Sequence, residues 1–236
     1  KPISPIFMEF SPIIAEIIPE ITPCIGLDQE NPYHKHDVYE HMLAVTDLCE
    51  TDSFVIKMAA LLHDIGKPAA YFRDGKFSDH PNVGAVLARV ALEKLKAPVK
   101  TIKLVEALTK YHMYDYDLCT KENKLRKFIV LHYDIFNELL LVKQAAFSAC
   151  KDDFSTAPSV TRLKNLADKM RAEGAPFTLK ELAVRGNEIA PLLPSSRYVG
   201  ATLEALLLHC AVTPADNTKE RLLRLAPSFG IVGGKN

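Results

Sequence analysis

At 236 residues the chain is long enough for one large domain, or for a domain with a small appendage, and it can bury a proper core. Apolar residues make up 48% and charged residues 25%, which excludes a disordered or fibrous chain. Lys+Arg and Asp+Glu number 29 each, so the whole molecule attracts neither nucleic acid nor acidic membranes, and any such partner must meet a local patch.

The longest apolar runs, such as Leu139-Leu140-Leu141-Val142, fall far short of the roughly 20 residues that span a bilayer. No cleavable signal pattern opens the chain, and its start at Lys1 rather than Met points to a piece of a longer protein. The five cysteines (Cys24, Cys49, Cys119, Cys150, Cys210) are scattered, odd in number and never spaced C-x-x-C. They read as reduced thiols of a cytoplasmic protein, used mostly for packing.

Taken in order, the periodicities are helical. Pro2, Pro5, Pro12, Pro19 and Pro23 suggest short opening helices that lean on the main body. Asp37 reads as a cap for the helix that follows. Val38, His41, Val45 and Leu48 share one face, as do Ile56, Ala60 and His63. Gly66-Lys67-Pro68 ends a helix, because proline cannot continue the ladder, and Asp74-Gly75 reads as a turn. Stripes then run from Val83 to Leu95 and from Thr101 to His112, separated at Ala97-Pro98. A longer stripe joins Leu125, Phe128, Ile129, His132, Phe136, Leu139, Leu140, Lys143 and Phe147. The polar stretch from Asp152 to Pro158 is the best boundary, dividing a domain over 1–152 from an extension over 153–236. Beyond it lie a helix at Val160–Met170, a capping box at Thr178-x-x-Glu181, a helix at Arg197–His209 and a second box at Asn217-x-x-Glu220. Period-2 alternation between hairpin turns is missing, so the class is all-α.

His41, His63 and His112 fall on apolar faces of separate helices, and Asp64 follows His63 directly. A buried imidazole needs partners for both nitrogens, and a buried carboxylate is costly until a cation neutralises it. One divalent metal shared among these groups meets both demands, and imidazole with carboxylate suits Mn, Mg, Ni, Fe or Zn without choosing among them.

The segment Ala59-Ala60-Leu61-Leu62-His63-Asp64-Ile65-Gly66-Lys67-Pro68, with Glu40-His41 about twenty residues before it, resembles the signature of the HD superfamily of metal-dependent phosphohydrolases. The resemblance implies a helical bundle with a smaller C-terminal extension, and it implies metal ligation by an upstream histidine and the His-Asp pair. His80 and His112 match the further positions that members use for a second metal or for the substrate phosphate. Asp64, His80 and His112 are thus the expected catalytic groups, with Asp64 orienting the attacking water. Together with Asn31-Pro32-Tyr33-His34-Lys35-His36-Asp37 and Leu182-Ala183-Val184-Arg185-Gly186-Asn187, the chain also resembles the HD-containing portion of bacterial CCA-adding tRNA nucleotidyltransferases and their poly(A) polymerase relatives. That likeness runs from about Pro5 to Ala226. The signature of that family's catalytic head, a Gly-Ser followed by an Asp-x-Asp pair on a strand, does not occur.

The implied substrate is a phosphomonoester or phosphodiester related to a nucleotide or an RNA end, with His34 and Lys67 as the candidate phosphate contacts. RNA draws no support from charge, and no membrane partner is expected. One departure stands out. The superfamily closes its metal site with a later Asp, and Val142-Lys143-Gln144-Ala145-Ala146-Phe147 places Ala146 there, leaving Asp115 or Asp117 as possible substitutes. The second reading is therefore a non-catalytic nucleotide- or tRNA-binding body with a vestigial histidine cluster. Arg73 and Arg126 read as surface charges. Tyr111, Tyr114 and Tyr116 bracket His112 and suit either stacking on a base or wedging the core.

Overall fold

The computed structural model describes residues 2–29, 36–151 and 153–232. His34 and Asp152 lie outside the described residues. Among those described the chain is all helical, with no strand. It packs as two compact units, one formed by residues 1–116 with 137–160, the other by 117–136 with 161–236.

The first unit opens with α1 (Ser4–Glu9) and α2 (Ser11–Ile17), each with proline in its first turn, followed by a 3₁₀ segment over Pro19–Cys24. It continues through α3 (Val38–Leu48), α4 (Phe54–Leu62), α5 (Lys67–Asp74), α6 (His80–Lys94) and α7 (Val99–Tyr111). The opening helices do lean on the body. Asp47 of α3 accepts the orphan amides of Ile3 and Ser4 at 2.6 and 3.3 Å, and the Tyr39 hydroxyl donates to the Phe7 carbonyl at 3.1 Å.

Asp37 caps α3 as its position suggests. Its Oδ1 accepts the Glu40 amide at 2.7 Å, and Glu40 returns a carboxylate to the Asp37 amide, completing a capping box. Asp37→Ala is expected to lower unfolding stability by about 1 kcal/mol, read in a urea titration. Helix α3 packs on α4, α4 on α7 and α7 on α6, with Val38, Met42, Val45, Leu62, Val105 and Leu108 buried between them. The short link 95–98 between α6 and α7 turns at Lys96, with φ +55°. Gly75, at φ +68°, closes α5 in the left-handed conformation that glycine tolerates best.

The long stripe from Leu125 to Phe147 is not one helix. It divides into α8 (Glu122–Leu131), a 3₁₀ turn over Tyr133–Ile135, and α9 (Phe136–Lys151). His132, at φ −118° and ψ +24°, leaves the helical region and breaks the ladder. The apolar spacing survives the break because a single 3₁₀ turn shifts the face only slightly.

Helix α8 belongs to the second unit, with most of α10 (Pro158–Ala172), then α11 (Gly186–Ile189), α12 (Val199–Val212) and α13 (Lys219–Val232). Two expectations change here. Thr178 makes no side-chain cap, because its hydroxyl donates to Glu181 itself while Glu181 accepts the Phe177 amide, and the segment is a 3₁₀ turn. Asn217 bridges to the Ala183 amide and the Glu181 carbonyl instead of capping α13. Arg126 is also not a surface charge. It is 5% exposed, with Nε on Glu122 at 3.0 Å, Nη1 on Glu173 at 2.7 Å and the Ala211 carbonyl at 3.3 Å. Arg73 is exposed and pairs with Asp74 and Asp79.

Candidate metal centre

The first unit brings five of the sequence-selected side chains to one place. His41 comes from the middle of α3, and His63 follows the last residue of α4 with helical angles. Asp64 sits in the turn before α5, His80 is the first residue of α6, and His112 follows α7. All five are buried, at 5% exposure or less.

One local device aims three of the rings. The Nδ1–H of His63, His80 and His112 donates to the carbonyl three residues earlier, on Ala60, Phe77 and Thr109, at 2.8, 2.5 and 2.7 Å. Such a bond assigns the proton to Nδ1 and leaves Nε2 as a bare acceptor pointing inward. These inward atoms converge on one carboxylate. Asp64 Oδ2 lies 3.4 Å from His41 Nε2 and 3.1 Å from His63 Nε2. Its Oδ1 lies 3.0 Å from His80 Nε2 and 3.5 Å from His112 Nε2. His80 and His112 face each other, Nε2 to Nε2, at 3.2 Å.

Acceptors facing acceptors at these distances repel unless positive charge lies between them. Burial alone would raise the Asp64 carboxyl, but His63 and Lys67 beside it outweigh burial and hold it well below the usual carboxylate range. Burial likewise drives His112 down to about 3, so its ring is neutral at pH 7. Imidazole Nε2 atoms around an ionised carboxylate make a donor set that suits a divalent ion. Two groups, His41–His63–Asp64 and Asp64–His80–His112, have ligand atoms within 4.8 Å of one another and share Asp64. Neither Asp115 nor Asp117 joins either group among the described residues.

Lys67 is not a solvated helix end. It is 7% exposed, and its ammonium lies 2.6 Å from Asp64 Oδ2 and 2.6 Å from Gln29 Oε1. Gln29 in turn donates to the His36 carbonyl at 3.1 Å. Nothing in the sequence around Gln29 signals that role. Lys143 did carry a signal, as a lysine on an apolar stripe. Its ammonium caps the end of α7, donating to the carbonyls of His112 at 3.0 Å and Tyr114 at 2.8 Å, and burial lowers it to about 8 against the opposing pull of Asp115. Lys143→Met strands those carbonyls and is expected to cost about 2 kcal/mol of stability in thermal denaturation.

The cluster lines a cavity of about 290 Å³, as do Lys67 and Lys143. Ala146 lies on the cavity wall. Gly66 lets the backbone of the His-Asp turn press against α6, where an added Cβ would stand 2.2 Å from the His80 carbonyl oxygen and 2.4 Å from the Gly84 nitrogen.

Comparison with known proteins agrees with this geometry. The HD domain family model matches residues 38–136. Over 227 residues, 92% of this chain and 48% of the relative, the chain is 29% identical to an A-adding tRNA nucleotidyltransferase of Deinococcus radiodurans. It is 29% identical over 143 residues to a CC-adding tRNA nucleotidyltransferase of Thermus thermophilus, covering 56% of this chain and 32% of that one. A bifunctional uridylyltransferase/uridylyl-removing enzyme of Ruegeria pomeroyi is 27% identical over 132 residues, 47% of this chain and 14% of its own. The chain thus spans half or less of each of these relatives. No helix among the described residues is long and apolar enough to cross a membrane. Signature, geometry and family-model match coincide on one stretch, residues 38–136, which is similar to an HD domain.

Proposed function

We propose that the cavity is the active site of a metal-dependent phosphohydrolase acting on a phosphomonoester or phosphodiester, related to a nucleotide or an RNA end. One observation carries this reading: each oxygen of a single buried carboxylate faces two imidazole Nε2 atoms. His41, His63 and Asp64 would hold the ion, and His80 and His112 would take a second ion or the phosphate. A divalent ion held there supplies Lewis acidity toward a phosphate oxygen and acidifies a water. The chain's own groups do the rest. Asp64 stays ionised and orients the attacking water. Lys67 and Lys143 bring positive charge to the cavity that receives the phosphate. The apolar surroundings keep water from screening those charges. Five cysteines without disulfides suit a cytoplasmic setting.

A second reading has its own support. Ala146 stands on the cavity wall where a carboxylate ligand is expected, and two relatives are named for tRNA nucleotide addition. On that reading the chain binds nucleotide or tRNA without hydrolysis. Elemental analysis and Mn²⁺-dependent turnover of nucleotide monophosphates and cyclic phosphates separate the two, with His63→Ala as control. Stoichiometric metal with turnover lost in His63→Ala is the expected result. Salt-sensitive tRNA binding without turnover favours the second reading.

A further inference from the structure

The same cavity carries a second surface of different chemistry. Phe77, Met113, Tyr116, Ala146, Phe147 and Cys150 line it, and each is at least partly exposed. Three of them are tied to the polar cluster by sequence. Phe77 supplies the carbonyl that anchors His80, Met113 follows His112, and Ala146 stands one helical turn beyond Lys143 on α9. The Phe77 ring is held in place by Tyr71, stacked at 5.0 Å between centroids with planes 18° apart. An apolar, aromatic wall therefore adjoins the phosphate-competent cluster. The volume, about 290 Å³, lies just under the usual span of ligand pockets, roughly 300–1,000 Å³, which limits the occupant to about one nucleotide.

Resting on the phosphohydrolase reading, we infer that this wall is a nucleobase subsite, that the substrate is a nucleoside monophosphate or a single terminal nucleotide, and that Ala146 admits the base. A carboxylate at position 146 would place charge and bulk on the wall that the base needs. The wall offers methyl, sulfur and ring surface but few hydrogen-bonding groups, chiefly the hydroxyls of Ser78, Tyr116 and Ser159, each of which both donates and accepts and so does not tell one base edge from another. It therefore holds a base by stacking and does not read its edge, so purines and pyrimidines bind within about tenfold of each other.

The test is calorimetric titration of the Mn²⁺-loaded protein with AMP, UMP, phenyl phosphate and ribose 5-phosphate. Stacking of a base corresponds to about 5- to 150-fold in affinity, and AMP and UMP are expected to exceed ribose 5-phosphate within that range. Ala146→Phe, which fills the wall, is expected to narrow that ratio to within about twofold. Phe147→Ala, a change that opens space, is expected to reduce it as well. Equal binding of AMP and ribose 5-phosphate overturns the inference, as does phenyl phosphate binding more tightly than both nucleotides. A second arm uses metal-free protein and phosphate-free ligands. Saturation-transfer NMR is expected to show contacts to the adenine of adenosine, lost in Ala146→Phe, and none to ribose. Failure of metal uptake and turnover with this contact intact removes the hydrolase reading and leaves the base subsite. Turnover without any preference for a base does the reverse.

Discussion

Asp64→Asn is expected to remove metal uptake and the metal-free protein's stability together. Both candidate groups contain Asp64, and no other carboxylate joins either among the described residues. Losing a ligand's hydrogen-bond partner alone costs roughly 10- to 100-fold in metal affinity, and loss of the shared carboxylate itself is expected to exceed that. The neutral amide also strands the Lys67 ammonium, whose remaining partner is the neutral oxygen of Gln29. An uncompensated buried charge costs about 3–5 kcal/mol. The double variant Asp64→Asn/Lys67→Met separates the two effects. It is expected to recover most of the stability and none of the metal binding. Calorimetric Mn²⁺ titration and urea unfolding read both, and an Asp64→Asn protein that still takes up stoichiometric Mn²⁺ would remove the centre described here.

Gly66→Ala is expected to be nearly as damaging, for a reason unrelated to charge. Its Cβ would meet the His80 carbonyl oxygen at 2.2 Å, the Gly84 nitrogen at 2.4 Å and the Gly84 Cα at 2.7 Å. These are backbone atoms and cannot swing aside. Overpacking of this kind costs about 3 kcal/mol, near the upper end of its usual range, or about 6 to 12 °C in Tm. Relief of the clash must also part the His-Asp turn from the start of α6, moving Asp64 and His80 away from each other. Weaker Mn²⁺ binding in the folded fraction is the accompanying result. Wild-type stability and metal affinity in Gly66→Ala would show that the two backbones do not press together as described.

Most of the longer helices and their order were legible from their apolar stripes, but Gly66-Lys67-Pro68 does not end a helix as expected: α4 stops at Leu62, and Lys67 and Pro68 open α5, where proline's missing amide hydrogen costs nothing. The convergence of His41, His63, Asp64, His80 and His112 was legible through spacing and family likeness together, since imidazoles on apolar faces are hard to satisfy otherwise. Other features depend on contacts that no local pattern encodes. Gln29 reaches Lys67 across 38 residues, and Arg126 reaches Ala211 across 85. The 3₁₀ break at Tyr133–Ile135 was hidden because apolar spacing continues across it. The caps at Thr178 and Asn217 misled because short polar side chains serve whichever orphan group is nearest, and here those groups belong to neighbouring turns. The boundary placed near 152 is a linear cut, whereas the compact units interleave along the chain, with 117–136 grouped beside 161–236.

The Lys67 ammonium on Asp64 Oδ2 sets the electrical balance of the cavity. The Asp64 carboxylate and the Lys67 ammonium cancel, so this pair leaves no surplus negative charge with which to hold a dication. A dication entering the cluster brings two uncompensated positive charges into a space of low dielectric, and a phosphate dianion is the natural complement. The two ligands should therefore be taken up reciprocally, each tightening the other by the same factor, as thermodynamic linkage requires. This pocket is built to be loaded as a neutral ensemble, cation and anion arriving as a pair.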